Sequence, residues 1–170
     1  MKQEKGPRIL LNAIALIGTK EFVGKKHNIT IINWAKEIGG WIGKYYDRDE
    51  IPWCGLFVGI CAARANFAFN QKMLSAKSWL EWGTEQKTAM LGDVLVFNRK
   101  GGGGHVGFYV GEDKECYHVL GGNQNNEVNV TRIDKKRLLG VRRCTWRVMQ
   151  PTNVRVVHLE PEGTISTNEE

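Results

Sequence analysis

The chain has little of what marks a redox, metal or disulfide protein. Its four cysteines, Cys54, Cys61, Cys116 and Cys144, include no CxxC pair, which gives neither a zinc ribbon nor a ladder of close disulfide-bonded turns. Three of them sit in apolar helix or strand patterns, where a free cysteine behaves as a small hydrophobe. All four read as reduced thiols of a protein made in a cytoplasm. No HExxH or zinc-finger spacing occurs among Cys54, His105, Cys116 and His118, so no metal is expected. The glycine run Gly101–Gly104 lacks the lysine of a phosphate loop and opens a strand, so it reads as a flexible flap, and no cofactor is expected. Long apolar runs are missing too. Ile9 to Ile17 is interrupted by Asn12, is too short to span a bilayer, and ends without a small-residue cleavage site. The expectation is synthesis in the cytoplasm without a signal peptide and no stable membrane insertion. No internal repeat is present.

What the chain does have is an ample apolar fraction, 42% of 170 residues, enough for one core of ordinary size. The net charge of +6 understates the basicity of the main body. Residues 160–170 hold four glutamates and no Lys or Arg, which leaves residues 1–159 with 24 basic and 14 acidic side chains, a charge of +10. Such a field draws a protein to polyanions: nucleic acid, anionic lipid or acidic cell-wall polymer. Charge alone does not choose among them.

The first half of the chain has helical periodicity. Pro7 to Ile17 places Ile9, Leu10, Ala13, Ile14 and Ile17 on one face. Thr30 is an expected N-cap for a helix from Ile31 to Ile38, stopped by Gly39-Gly40. A polar loop follows, then an apolar helix from Cys54 to about Asn66, and a short helix over Ser78 to Trp82. The second half alternates. Strands are expected at Val94–Phe97, His105–Val110, Cys116–Leu120, Val128–Ile133 and Val141–Val148, joined by short turns and therefore antiparallel. Helices followed by a run of strands give an α+β domain, with residues 1–150 as a single catalytic unit. Val154 to Leu159 is an expected edge strand, and the acidic stretch from Glu160 to Glu170 an expected flexible tail.

Cys54 stands at the start of a helix, after Pro52-Trp53. Unpaired N–H groups and the positive end of the helix dipole favour thiolate there, and thiolate is the nucleophile. His105 is the base that pairs with it. Alternation sets His105, Gly107 and Tyr109 on one strand face and the apolar set Val106, Phe108 and Val110 on the other, with Gly107 leaving room for a thiol or substrate. A third group must orient the imidazole. The stretch Gly121-Gly122-Asn123-Gln124-Asn125-Asn126 offers amides, with Asn123 the first choice and Gln124 the reserve. Trp53, Trp79, Trp82, Tyr109 and Gln124 are candidates to line a substrate groove, with core packing the competing role for at least two of the aromatics.

With these residues in place, the chain resembles the NlpC/P60 and CHAP superfamily of papain-like cell-wall hydrolases, in a compact branch of phage and bacterial proteins. The matching stretches are Ile51-Pro52-Trp53-Cys54-Gly55-Leu56-Phe57-Val58, Ser78-Trp79-Leu80-Glu81-Trp82-Gly83, Gly92-Asp93-Val94-Leu95-Val96-Phe97, Gly104-His105-Val106-Gly107-Phe108-Tyr109-Val110-Gly111 and Val119-Leu120-Gly121-Gly122-Asn123-Gln124. Together they span roughly residues 8 to 148. The resemblance implies a papain-like fold, N-terminal helices on an antiparallel sheet, Cys54 as nucleophile and His105 as base. It implies a cysteine peptidase that cuts an amide bond of the peptidoglycan stem peptide, an endopeptidase of endolysin type, with N-acetylmuramoyl-L-alanine amidase as the alternative on the same fold. The implied partner is bacterial peptidoglycan rather than nucleic acid, with a holin for access or an immunity protein if the enzyme is an injected toxin. A monomer acting in the periplasm or cell wall after release is expected. Rival classes are a non-catalytic basic binding module for cell wall or nucleic acid, and a cysteine transferase or deamidase acting on proteins.

Overall fold

A computed structural model describes residues 6–22, 24, 26–69, 71–167 and 169. Four helices come first: α1 (Arg8–Ile14), α2 (Ile29–Ile38), α3 (Gly40–Tyr45) and α4 (Cys54–Arg64). A 3₁₀ turn over Ala76–Glu81 leads to the strands β1 (Thr84–Gln86), β2 (Val94–Asn98), β3 (Gly104–Glu112), β4 (Cys116–Gly121), β5 (Asn129–Asp134), β6 (Leu138–Arg143) and β7 (Ile165–Ser166). The architecture is mixed α+β, with few helices and one seven-stranded sheet in the order β1-β6-β2-β3-β4-β5-β7.

Burial explains the placement of α4. Every residue from Cys54 to Ala62 is buried, and a helix apolar on all sides has to be enclosed. It packs against α1 and α2 on one side and against β3 and β4 on the other. The amphipathic α1 and α2 give it Ile9, Leu10, Ala13, Ile31, Trp34 and Ala35. The sheet contributes Val94, Val96, Val106, Phe108 and Leu120, the face that strand alternation marks as apolar. Phe57 of α4 meets Phe108 edge to face at 5.9 Å, a favoured aromatic geometry.

The opposite sheet face is also covered. Leu95, Phe97, Tyr109, Val119, Ile133 and Val141 form a second buried cluster, with Tyr117, Leu138 and Val157 packed against it. Asp93 ties this region together. Its carboxylate accepts Arg143 Nε and Nη2, both at 2.7 Å, and the Met90 N–H at 2.8 Å, so the charge is paired as burial requires.

Several local features differ from expectation. The α2 helix starts earlier, because the Asn28 side chain, not Thr30, caps it by accepting the Thr30 N–H at 2.9 Å. The expected polar loop after Gly39 contains α3, whose one buried side chain is Ile42. The strand expected at Val141–Val148 instead runs Leu138–Arg143. Val154–Leu159 forms only a single bridge, His158 to Glu112. The acidic stretch is not free of the domain: β7 pairs in parallel with β5, and Glu169 is buried.

Candidate functional site

Cys54 is the first residue of α4, and Trp53, the residue that caps it, makes no side-chain capping bond. The chain is delivered there by a fixed loop. Trp53 is fully buried, its ring 5.9 Å from Trp34, and its Nε1 donates to Glu21 Oε2 at 3.1 Å. The Tyr46 hydroxyl donates to the Ile51 carbonyl. Gly55 and Gly59 let the Met73–Leu74 segment lie directly on α4, where a Cβ would collide with it.

His105 is the second residue of β3, paired across the sheet with Phe97. Its Nε2 lies 2.9 Å from Gln124 Oε1. The amide orientation of Gln124 is settled by its other end, where Nε2 donates to the Val119 carbonyl at 3.2 Å, the Asn129 carbonyl at 2.7 Å and Asn129 Oδ1 at 3.0 Å. An amide oxygen only accepts, so His105 Nε2 carries the proton and Nδ1 holds the free lone pair of the neutral ring. Gly121 is obligatory here: a Cβ would stand 2.5 Å from Gln124 Oε1 and 3.0 Å from His105 Nε2. At Gly122 a Cβ would meet Phe57 and Trp53 at 2.6 and 2.8 Å. The turn after β4 is thereby pressed against the start of α4.

Cys54 and His105 border one cavity of about 210 Å³, together with Arg99, Asn123 and Glu169. Burial pushes the Cys54 thiol up, although the backbone N–H groups of Val106, Gly55 and Cys54 and the charge of Arg99 pull the other way. The expectation of a thiol lowered by the helix start is therefore corrected, because desolvation of the anion outweighs the nearby dipoles. Burial likewise holds the His105 imidazole below its usual value, against the opposing pull of Glu169 and the Gln124 hydrogen bond. Both effects favour a neutral thiol beside a neutral ring in the resting protein.

The amide that meets His105 is that of Gln124, not Asn123. Asn123 adopts a left-handed backbone with φ 56°. It still borders the cavity, and its buried Oδ1 has no hydrogen-bond partner among the described residues. The aromatic candidates do not line this cavity. Trp53, Trp79 and Tyr109 are buried within the cores, with Trp79 Nε1 donating to the Met73 carbonyl at 2.9 Å and the Tyr109 hydroxyl to Glu112 at 2.9 Å. Trp82 packs edge to face on Trp79 and donates to the Ala68 carbonyl at 2.6 Å. Its outer edge borders a separate groove with Phe67 and Phe69. These rings satisfy their polar atoms internally, as buried Trp and Tyr do.

Arg99 and Glu169 on the cavity escaped the sequence reading, and so did Arg137, which pairs with Glu169. Arg99 had a signal, since with Lys100 it forms the basic pair just before the glycine run that opens the strand of His105. Arg137 and Glu169 had none, because their pairing joins segments 32 residues apart.

No family model matches the chain, and no curated protein and no solved structure matches it either. The fold and the site define an α+β domain in which a helix-start thiol and a strand imidazole border one cavity. Among the described residues no cluster of His, Cys, Asp and Glu could hold a metal ion, and no helix is long and apolar enough to cross a membrane.

Proposed function

We propose that the chain is a papain-like cysteine hydrolase that cuts an amide bond of the peptidoglycan stem peptide. The observation that carries this reading is the shared cavity: Cys54 at the first turn of α4 and His105 on β3, with Gln124 fixing the ring tautomer. The five sequence stretches that resemble NlpC/P60 and CHAP hydrolases supply the choice of peptidoglycan, and the basic main body suits an anionic envelope.

In the proposed reaction His105 Nδ1 takes the Cys54 proton as sulfur attacks the amide carbonyl. An S–C bond forms, and the tetrahedral oxygen faces the Cys54 N–H at the uncapped helix start. The imidazolium then returns its proton to the leaving amine, and the C–N bond breaks to leave a thioester. Water, deprotonated by His105, attacks the thioester. It releases a carboxylic acid and restores the thiol. Burial raises the thiol and lowers the ring, so proton transfer in the proposed reaction accompanies the attack.

The role of the enzyme is that of a lytic protein of endolysin type, acting in the wall after release. Digestion of purified peptidoglycan with mass spectrometry of the products tests this. New amine and carboxyl ends within the stem peptide are expected, and none with Cys54→Ala. Cleavage between muramic acid and L-alanine would change the assignment to amidase. Full lysis by the folded Cys54→Ala protein would end the hydrolase reading.

A further inference from the structure

Among the described residues, three charged ones border the cavity, Lys77, Arg99 and Glu169, and Glu169 is the one anion among them. It is 2% exposed. Arg137 grips it in a two-pronged pair, Nη1 to Oε1 at 2.8 Å and Nη2 to Oε2 at 2.7 Å, and Ser166 Oγ donates to Oε1 at 2.9 Å. Arg137 is itself aimed by Nε donating to the Asn98 carbonyl at 3.0 Å. Arg137 does not border the cavity, whereas its partner Glu169 does, so the cavity meets this ion pair at its carboxylate end.

The segment that carries Glu169 is tied to the sheet through β7 and through arginine side chains. Its ladder to the sheet is the short pairing of Arg132 with Ile165 and Ile133 with Ser166. Arginine side chains supply further ties, Arg132 Nη1 to the Gly163 carbonyl at 2.8 Å and Arg137 Nη1 to the Ser166 carbonyl at 3.1 Å. This segment forms one wall of a groove-like chamber of about 720 Å³, open on one side, lined also by Gln124, Thr131 and Arg132. Glu169 is the one described residue that borders both chamber and cavity. On the cavity wall Asn123 presents a second unmet demand, a buried carbonyl oxygen with no donor among the described residues.

We propose that Arg137 is a carboxylate-binding subsite of the Cys54–His105 cavity, occupied in cis by Glu169, and that the substrate is an acyl donor whose own carboxylate displaces Glu169. This rests on the reading of Cys54 and His105 as the reactive pair. Exchange of one carboxylate for another never leaves Arg137 unpaired, so displacement avoids the cost of an uncompensated buried charge. A neutral substrate group would incur that cost. The planar fork of arginine suits a carboxylate in both charge and shape. An N–H of the same substrate would satisfy Asn123 Oδ1. The substrate class is thus a peptide with an acidic residue or free carboxylate next to the scissile amide, and the Glu169 segment is its built-in competitor.

Alkylation of Cys54 tests this without any wall substrate. Iodoacetate and iodoacetamide have the same leaving group and nearly the same size, but only iodoacetate carries a carboxylate. Rates are read at Cys54 by peptide mass spectrometry on the full chain. Slow reaction with both reagents is expected in the unaltered protein. In Glu169→Ala the iodoacetate rate should rise by about tenfold more than the iodoacetamide rate, the size of one charge-assisted hydrogen bond. Glu169→Gln, close in shape, should show the same preference and stands in if the alanine variant does not fold. Adding Arg137→Gln should remove the preference. Equal acceleration of both reagents in both Glu169 variants, or a preference that survives loss of Arg137, overturns the subsite. Peptidoglycan cleavage without an anion preference would sink the subsite alone, whereas a preference without cleavage would sink the hydrolase reading alone.

Discussion

Two buried histidines sit on adjacent strands, and each is bonded through Nε2 at 2.9 Å. His105 on β3 meets the neutral amide of Gln124, and His118 on β4 meets the carboxylate of Asp113. A histidine with a carboxylate looks the more catalytic of the two. The surroundings reverse that impression. Asp113 is saturated: besides His118 it accepts Arg132 Nε at 2.9 Å and the N–H groups of Glu115 and Cys116 at 2.9 and 3.0 Å. His118 lies directly opposite Arg132 in the β4–β5 register. That cluster is a clamp joining a turn to a strand pair, and the thiol nearest in sequence, Cys116, is fully buried. Gln124, by contrast, spends its N–H donors on carbonyls and reserves its oxygen for His105. An amide orients a ring without stabilising its charged form as strongly as a carboxylate would. The lesson is that the partner's remaining bonds, not its charge, separate a positioning residue from a structural one.

The largest expected effect lies on the His105 side. His105→Ala should lower the rate of peptidoglycan cleavage by about 10³-fold, within the usual range for a lost general base. Unchanged single-turnover thioester formation would remove His105 from the chemistry. On the His118 side the largest effect should be stability. Asp113→Ala leaves Arg132 and His118 without their common acceptor and should lower Tm by about 5 °C, with cleavage by the folded protein retained. Arg132 first, then the backbone N–H groups and His118, hold the Asp113 carboxyl well below the usual carboxylate range. A lowered folded value means stability that is fully present above the unfolded value, about pH 3.9, and is lost as pH falls through the folded one. Thermal melts between pH 7 and pH 2 should therefore converge for variant and parent at the acid end. A constant gap across that range would assign the loss to packing instead.

Much of this comparison could be read from the chain before folding, and some could not. The apolar period of residues 54–62 places Cys54 at a helix start, and the alternation of residues 105–110 places His105 at a strand start; both are local patterns. The order of helices before strands gives the α+β class. What failed depends on contacts distant in sequence. Asn123 and Gln124 are adjacent, and it is the bonds of the Gln124 amide to Val119 and Asn129 that aim its oxygen at the ring. Of the aromatic side chains read as groove residues, Trp53, Trp79 and Trp82 pack in the helix-side core and Tyr109 on the sheet's second face, whose cover the sequence does not show. The acidic stretch looked free because it is polar and holds Gly and Pro, yet Arg137 pairs with Glu169 and Arg132 donates to the Gly163 carbonyl. The rise of the Cys54 thiol has the same origin: helix-start dipoles are visible in sequence, but the depth of burial is not.

A smaller effect sharpens the role of Gln124. Gln124→Ala should reduce cleavage by about tenfold, since the ring loses its orienting acceptor while base and nucleophile remain. Gln124→Glu is the more telling change. Burial holds His105 below its usual value, so the neutral base persists into mild acid. A carboxylate on Nε2 would favour imidazolium and shift the acid limb of the pH–rate profile upward by about one unit. The same change sets a carboxylate oxygen against the Val119 and Asn129 carbonyls, so Tm should fall as well. An acid limb that does not move would mean that Gln124 does not touch the titrating base.

The smallest expected effect belongs to His118→Gln. A glutamine amide reaches the Asp113 carboxylate with an N–H, so the clamp keeps its donor and loses mainly ring packing beside β5. The expected fall in Tm is about 2 °C, with the cleavage rate and its pH profile unchanged. The readout is decisive because it is asymmetric. A rate loss as large as that of His105→Ala, at unchanged Tm, would make the carboxylate-bonded histidine the working base. It would also erase the distinction between orienting amide and structural carboxylate on which the assignment of His105 depends.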